Sequence, residues 1–186
     1  MHPTLQKLRK GDRRSIGRSN EAVSEVLSKP RLFRVIFSGL SAADPLIRMR
    51  SADAVEKITA RRPELLRSYK NKLIREVAAT DQKEVRWHVA QMLPRLELDE
   101  VERKRVFRVL LGYLNDRSSI VRTFTMQALA DIARDSPVLL RAVRQRLAQL
   151  TTSGTPAMKA RGRKLLTELG GPIARSIAPR RKRRPR

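Results

Sequence analysis

Apolar residues recur three and four positions apart along most of the chain, and this spacing predicts a series of amphipathic α-helices. The best-marked helix covers residues 81–96, where Asp81 and Glu84 have the spacing of a capping box at a helix start. Pro94 is expected to end or kink this helix, because proline lacks an amide hydrogen and its ring clashes with the preceding turn. The residues predicted to face the core are Val85, Val89, Met92, Leu93 and Leu96.

The same reasoning predicts helices along the rest of the chain. Asp44 before Pro45 marks a helix start, because the carboxylate caps the first amides and proline needs no amide partner there. Gly170 and Gly171 end the last helix, as glycines do at helix C-termini. Aromatic residues make up only 4 % of the chain, so the pattern predicts an all-α fold. Further helices are predicted at residues 21–28, 30–40, 45–60, 63–79, 99–114, 120–133, 136–150 and 157–169.

Four of these helices align with one another without gaps. They begin at Ile47, Val85, Val121 and Met158, which are 38, 36 and 37 residues apart. Their second position is always basic and holds Arg48, Arg86, Arg122 and Lys159. Another apolar helix precedes each of the four. A period of this length built from two helices predicts a solenoid, because stacking lets neighbouring pairs cover each other's apolar faces.

The aligned pattern resembles the second helix of HEAT repeats: an apolar residue and a basic one, then small or apolar residues at fixed later positions. The resemblance covers about residues 30–170, or roughly four repeats. It implies a right-handed α-solenoid of about four HEAT-like helix pairs. In that family the second helices line the concave face, where partners often bind. The chain departs from the pattern at Gly162, which replaces a packed residue in the last unit.

Three regions are expected along the 186 residues. Residues 1–19 are predicted to be a flexible basic arm, with a short helix near Leu5–Leu8 docked on the core as the alternative. Residues 20–171 form the HEAT-like domain, and residues 172–186 a disordered basic tail. The chain contains no Cys, which excludes disulfides and thiolate metal sites. No apolar run approaches the length of about 20 residues that a membrane span needs.

The formal net charge of +24 suggests a polyanion partner. Residues 1–20 hold six Lys or Arg and one Asp, and residues 172–186 hold seven Lys or Arg and no acid. The remaining 29 basic and 17 acidic residues give the middle of the chain a positive balance as well. Charge of one sign repels itself in the folded state, and a polyanion would relieve that repulsion.

The repeated basic position has two interpretations. In one, each cation braces a loop or pairs with a nearby acid such as Asp44, Asp81 or Asp116; in the other, the cations form a ladder along a groove. The predicted nucleic-acid-binding residues are Arg48, Arg50, Arg86, Arg122, Lys159, Arg161, Arg163 and Lys164, with Arg180, Arg181, Lys182, Arg183 and Arg184 of the tail. The cations of the first helices, with acids nearby, are interpreted as a solvated convex face.

The favoured function is a non-enzymatic module that binds nucleic acid through the phosphate backbone. An acidic protein partner is the alternative. A third hypothesis, an enzyme resembling the alkylpurine DNA glycosylases built from HEAT-like repeats, is disfavoured because Trp87 is the only Trp and no aromatic cluster accompanies it. Glu84 and His88 offer two metal ligands where a closed site needs about four, so no cofactor is expected. We expect a cytoplasmic monomer, with nuclear import through the basic tail in a eukaryote.

Overall fold

The computed structural model describes residues 1–9 and 15–170, and every regular element in these residues is helical. This confirms the prediction of an all-α fold. The α-helices are α1 (Pro3–Gln6), α2 (Ser19–Ser28), α3 (Phe33–Ser38), α4 (Pro45–Arg61), α5 (Lys70–Arg75), α6 (Lys83–Met92), α7 (Glu100–Tyr113), α8 (Ser119–Ala133), α9 (Pro137–Ser153) and α10 (Pro156–Glu168). Short 3-10 helices cover Pro30–Leu32, Gly39–Ser41, Pro63–Tyr69, Val77–Ala79 and Leu93–Arg95.

The even-numbered helices pack in chain order, with α2 on α4, α4 on α6, α6 on α8 and α8 on α10. We call these five helices the even layer. The odd layer consists of α3, α5 with the 3-10 helix before it, α7 and α9, which pack against the even helices. One continuous apolar core, running from Leu8 to Leu165, lies between the two layers.

Side-chain contacts link the first three members of the odd layer. The Tyr69 ring lies 4.3 Å from the Phe37 ring, centroid to centroid. Lys70 of α5 forms an ion pair of 2.6 Å with Glu102 of α7. Phe107 of α7 and Ala142 of α9 line one cleft of about 270 Å³. The odd helices therefore follow one another along the even layer, but they pack on each other less closely than the even helices do.

Several helices begin at a side-chain oxygen cap, as predicted for Asp44. The Asp44 carboxylate accepts the Leu46 amide at 2.8 Å, directly before Pro45. Asp99 and Glu102 form a complete capping box, with bonds of 2.8 and 3.0 Å. Oxygen caps of this kind satisfy amides that have no partner inside the helix. The side chains of Ser118, Ser136 and Thr155 cap α8, α9 and α10 in the same way.

The capping box predicted at Asp81 and Glu84 is wrong. Helix α6 begins at Lys83, and its cap residue Gln82 makes no side-chain bond to the helix amides. The Gln82 side chain instead donates its Nε2 to the Pro45 carbonyl at 2.9 Å and accepts a hydrogen bond from Arg48 on its Oε1 at 2.9 Å. The start of α6 is therefore attached to α4. A spacing rule for one helix does not detect such an inter-helix contact.

The predicted helix at residues 63–79 is divided into three pieces. A 3-10 helix, Pro63–Tyr69, is followed by α5 and by a second 3-10 helix, Val77–Ala79. In a 3-10 helix residues three apart eclipse each other. Leu66 and Tyr69 have this spacing and both belong to the core cluster. A helical segment was predicted here, but its division into 3-10 and α-helical pieces was not.

Helix α1 contacts α2 and α3, whereas Leu8, Ser15 and Ser19 contact α4. Leu8 is fully buried in the core, and Thr4 of α1 is fully buried as well. The Ser19 hydroxyl donates to Asp53 of α4 at 2.6 Å. Helix α1 is only four residues long, too short to show a periodic pattern in the sequence. Burial of one leucine nevertheless anchors the segment.

The predicted tail, residues 172–186, lies outside the described residues. None of the helices in residues 1–9 and 15–170 is long and apolar enough to cross a membrane.

Candidate nucleic-acid interface

Arg48, the first member of the predicted cation ladder, braces two loops. Its Nε donates to the Gln82 side chain at 2.9 Å, and its Nη1 donates to the carbonyls of Ala42 and Ala43 at 2.8 and 2.9 Å. The guanidinium thereby connects the loop before its own helix to the residue that caps the next even helix. These bonds use the planar fork of donors that arginine offers.

Arg86 makes the equivalent contacts one repeat later. Its Nε donates to the Thr80 carbonyl at 2.6 Å, and its Nη1 donates to Asp116 at 2.7 Å. Thr80 lies in the loop before α6, and Asp116 lies in the loop before α8. The two arginines therefore join successive even-helix starts in the same way, as the structural interpretation of the ladder predicts.

The Arg86–Asp116 ion pair is shielded from solvent. The Asp116 side chain is 7 % exposed and the Arg86 side chain 26 % exposed. Burial acts to raise the pKa of Asp116, but hydrogen bonds from Arg86 and the Ser118 amide, with the charge of Arg122, outweigh it and hold that pKa below its usual value. The guanidinium carbon also lies 5.4 Å from the centre of the Tyr113 ring. Thr80, Asp116 and Tyr113 therefore fix the position of the Arg86 guanidinium, which has a structural role.

Arg50 is fully buried, so its predicted role as a ligand contact is wrong for this structure. Its Nη1 donates to the Leu8 carbonyl at 2.9 Å, and its Nε donates to the Ser15 carbonyl at 3.2 Å. Gly17, with φ of 55°, passes so close that a Cβ there would lie 2.7 Å from Arg50 Nη1. The Arg50 guanidinium is therefore enclosed by Leu8, Ser15 and Gly17 and holds these residues on α4.

The remaining even-layer cations differ in exposure. Arg122, Lys159 and Arg161 are partly buried, and Arg161 donates to the Gln127 side chain at 2.9 Å. Arg163 and Lys164 of α10 are exposed, and Lys164 lies 3.9 Å from a Glu168 oxygen. The tail residues Arg180, Arg181, Lys182, Arg183 and Arg184 lie outside the described residues. Of the predicted even-layer sites, only this pair on α10 projects fully into solvent.

Four arginines of the odd layer form a set that sequence reasoning treated only as solvated surface. They are exposed, one from each odd-layer helix, and we call them the odd-layer row: Arg34, Arg75, Arg105 and Arg141. Each is followed two residues later by a buried apolar residue: Ile36, Val77, Phe107 and Val143. Two residues correspond to a rotation of roughly 200° about a helix, so each arginine points away from the core.

None of the row arginines makes an ion pair or a side-chain hydrogen bond within residues 1–9 and 15–170. Each has a second cation on the adjacent turn, and residues three apart on a helix share a face. These second cations are Arg31, Lys72, Arg108 and Arg144. Each of α5, α7 and α9 therefore carries a pair of cations, and Arg34 of α3 is paired with Arg31 of the 3-10 helix directly before it.

Two of the carboxylates on or beside the odd-layer helices pair with other cations, whereas Glu76, directly after Arg75, forms no ion pair within residues 1–9 and 15–170. Glu97 pairs with Arg67 at 2.9 Å, and Glu100 pairs with Lys104 at 2.6 Å. A hydrogen bond from Lys104 and its positive charge hold the pKa of Glu100 below its usual value. The sequence shows these acids near the row but not which cations they pair with. The sequence signal that could have identified the row is the apolar residue two positions after each of its arginines.

Trp87 and His88 line a separate cleft of about 380 Å³ on the even layer, beside Ile16 and Ile120. Their rings meet edge to face at 5.4 Å. Burial is the main reason that the pKa of His88 is lowered to about 4, and its Nδ1 has no hydrogen-bond partner among the described residues. The part of the chain that the structure describes contains no group of three or more residues suited to hold a metal ion.

Comparisons with protein families, curated proteins and solved structures found no match for this chain. Its function is therefore inferred from the placement of its own side chains.

Proposed function

We propose that the chain is a non-enzymatic HEAT-like module that binds the phosphate backbone of nucleic acid with little sequence selectivity. Its fold would be a right-handed α-solenoid of about four helix pairs. Two observations support this architecture. The even helices pack in chain order, and Arg48 and Arg86 make equivalent contacts to the start of the next even helix.

The observation that carries the proposed function is the odd-layer row. Four exposed arginines with no carboxylate partner among the described residues stand on four successive helices. An exposed arginine without a carboxylate partner does not have to break an ion pair before it contacts a phosphate. Each contact also releases condensed counterions, which favours binding entropically. The chain's net charge of +24 adds long-range attraction for a polyanion.

Two further basic regions are proposed to add affinity. Arg163 and Lys164 extend from the last described even helix, so no further described helix covers them. The tail beginning at Arg180 holds a dense block of cations, and such blocks often bind nucleic acid. Both regions would contact phosphates and sugars rather than base edges, so they would add no sequence preference.

A binding titration at rising salt tests the proposed function. Fluorescence anisotropy of a labelled 24-base-pair duplex and a labelled 24-base single strand would be measured from 50 to 300 mM KCl. We expect binding at low salt that weakens steeply as counterion release becomes less favourable. Two duplexes of unrelated sequence should bind within about threefold of each other, since phosphate contacts carry no sequence information. Absence of binding to every nucleic acid at 50 mM KCl contradicts the proposal.

An acidic protein partner is the second candidate. Val101 and Val138, at the starts of α7 and α9, are 69 % and 80 % exposed, and such apolar groups suit a protein interface. A pull-down after nuclease treatment separates the two functions. A saturable protein partner that survives nuclease, together with no direct binding to nucleic acid, favours this candidate.

A further inference from the structure

We propose that the odd-layer row binds a duplex, with the duplex axis running across α3, α5, α7 and α9. This inference rests on the proposed function and names the form of nucleic acid that the site recognises. The recognised chemistry is the regular double line of phosphates, which both DNA and RNA duplexes present.

The length of the row suits a short duplex segment. The even helices α4, α6, α8 and α10 pack on each other in series, and packed helices have axes about 8–10 Å apart. The odd helices lie along this series, so a row that crosses four of them is about 25–30 Å long or slightly longer. Phosphates follow each other every 3.4 Å or so along a strand of duplex DNA. The row therefore spans about eight base pairs, slightly less than one helical turn.

The row is built on a rigid support. Tyr69 ring contacts and the Lys70–Glu102 ion pair join neighbouring odd helices, and the buried residues two positions after each arginine anchor every helix to the core. A stiff array suits duplex DNA, which is itself stiff, with a persistence length of about 50 nm. A flexible single strand must lose conformational freedom to follow the same line.

The aromatic residues argue against a single-stranded ligand. The four Phe, two Tyr and one Trp of the chain all lie among the described residues; four of these rings are buried, and Tyr69, Trp87 and Phe124 are partly buried. Proteins that bind single strands without sequence preference stack bases on accessible aromatic rings, in addition to contacting phosphates. On the odd layer the rings of Phe33, Phe37 and Phe107 are buried. The exposed groups of this face are therefore suited to phosphates, and a duplex carries phosphates at a higher density than a single strand does.

The matched pair of variants that tests this inference changes four cations in each case. The row variant is R34Q/R75Q/R105Q/R141Q, and the control variant is R61Q/K83Q/R117Q/R134Q. All eight side chains are exposed, and the control positions belong to the even helices and their loops. Both variants lose the same net charge, so long-range attraction falls equally and only local contacts differ.

The affinity of each full-length protein is measured for a DNA duplex, an RNA duplex and a DNA single strand at 100 mM KCl. We expect the wild type to prefer duplex over single strand by about tenfold or more. We expect the row variant to lose about ten- to a hundredfold in duplex affinity, and the control variant less than about threefold, because only the former removes phosphate contacts. Urea unfolding of both variants checks that the fold is retained.

A duplex length series sharpens the test. Between 6 and about 10 base pairs the affinity of the wild type should rise more steeply than that of the row variant, because only the wild type fills the row. Longer duplexes also gain contacts with α10 and the tail, which both proteins share. An equal rise in the two proteins between 6 and 10 base pairs overturns the inference.

The outcomes separate this inference from the proposed function. Equal losses in the two variants, or a preference for the single strand, overturn the duplex inference and leave the proposed function standing. Absence of all nucleic-acid binding overturns both. A further arm uses vesicles with anionic headgroups, since Val101 and Val138 beside the row could enter a membrane surface. Binding to vesicles without binding to duplex overturns both in favour of a membrane ligand.

Discussion

The even and odd layers both carry repeated arginines, yet their side chains have different partners. Arg48 and Arg86 of the even layer bond to loops and to a carboxylate of the next repeat, and Arg50 is enclosed completely. Arg34 and Arg105 of the odd layer are exposed and have no bonded partner in the described part of the chain. The same residue type therefore stabilises the fold on one layer and remains available to a ligand on the other.

This comparison shows that a repeated cation is not by itself a binding ladder. The even-layer arginines stand where two repeats meet, so a guanidinium there finds carbonyls and carboxylates that need donors. The odd-layer arginines lie on the opposite side of their helices from the core, where water is the competing partner. Substitution should therefore cost stability on one layer and binding on the other.

The largest expected effect on stability comes from Arg50→Leu. Removal of the guanidinium leaves the Leu8 and Ser15 carbonyls without their donor in a buried setting, and should lower the free energy of unfolding by about 3 kcal/mol. Urea denaturation followed by circular dichroism measures this loss. Arg34→Leu on the odd layer is the control and should change stability by less than about 0.5 kcal/mol. Equal effects of the two substitutions would remove the distinction between the layers.

The next effect concerns the Arg86–Asp116 brace. Arg86→Gln and Asp116→Asn should each cost about 2 kcal/mol, because each leaves a shielded charge without its partner. The double variant should cost less than the two singles together, with a coupling energy of about 1–2 kcal/mol. Denaturation of the four proteins in a double-mutant cycle measures the coupling. Strict additivity would show that the two residues act independently.

Acidification tests the packing of the even layer through His88. Burial lowers its folded-state pKa to about 4, below the usual value near 6.5, so the unfolded chain binds the proton more readily. The free energy of unfolding should therefore fall as the pH drops from 6.5 toward 4, by roughly 2 kcal/mol between pH 7 and 5.

His88→Phe is the matched variant for that titration. It removes the titrating group while keeping a ring in the same place, so its stability should be nearly flat between pH 7 and 5. Urea midpoints at half-unit pH intervals give the comparison. A wild-type protein equally stable at pH 7 and 5 would contradict the assigned burial of His88.

The smallest expected change in stability belongs to the row variant, R34Q/R75Q/R105Q/R141Q. Its four side chains make no hydrogen bond or ion pair within residues 1–9 and 15–170, so the free energy of unfolding should change by less than about 1 kcal/mol in total. Relief of repulsion should even favour folding slightly at low salt. Unfolding curves at 20 and 300 mM KCl check both points. A loss above 2 kcal/mol would assign these arginines a structural role.

Hydrophobic periodicity predicted the all-α fold and most helix positions well. Apolar residues three and four apart specify a buried helical face whatever the neighbours are, and Val85, Val89, Met92 and Leu93 are indeed fully buried. The brace interpretation of Arg86 was also predictable, because Asp116 lies one repeat later at a loop. Sequence patterns therefore predicted a contact correctly where both partners recur at equivalent positions of the repeat.

Long-range partners account for the failures. Asp81 and Glu84 have capping-box spacing, but Gln82 is held by Arg48 and Pro45, and the helix begins one residue later than the spacing predicts. Arg50 looked like a ladder residue, and only its bonds to the Leu8 and Ser15 carbonyls, far away in the sequence, show that it is enclosed. Neither contact leaves a periodic signal. The odd-layer row did leave one, since each arginine precedes a core residue by two positions.

The salt dependence of duplex binding by the row and control variants tests the central claim most directly. The association constant of each full-length protein for one 12-base-pair duplex is measured from 50 to 300 mM KCl. Loss of four phosphate contacts should make the slope of log Ka against log salt shallower by about three to four for the row variant, and leave it unchanged for the control variant. Equal slopes for wild type and row variant would contradict the claim that the odd-layer arginines contact phosphates.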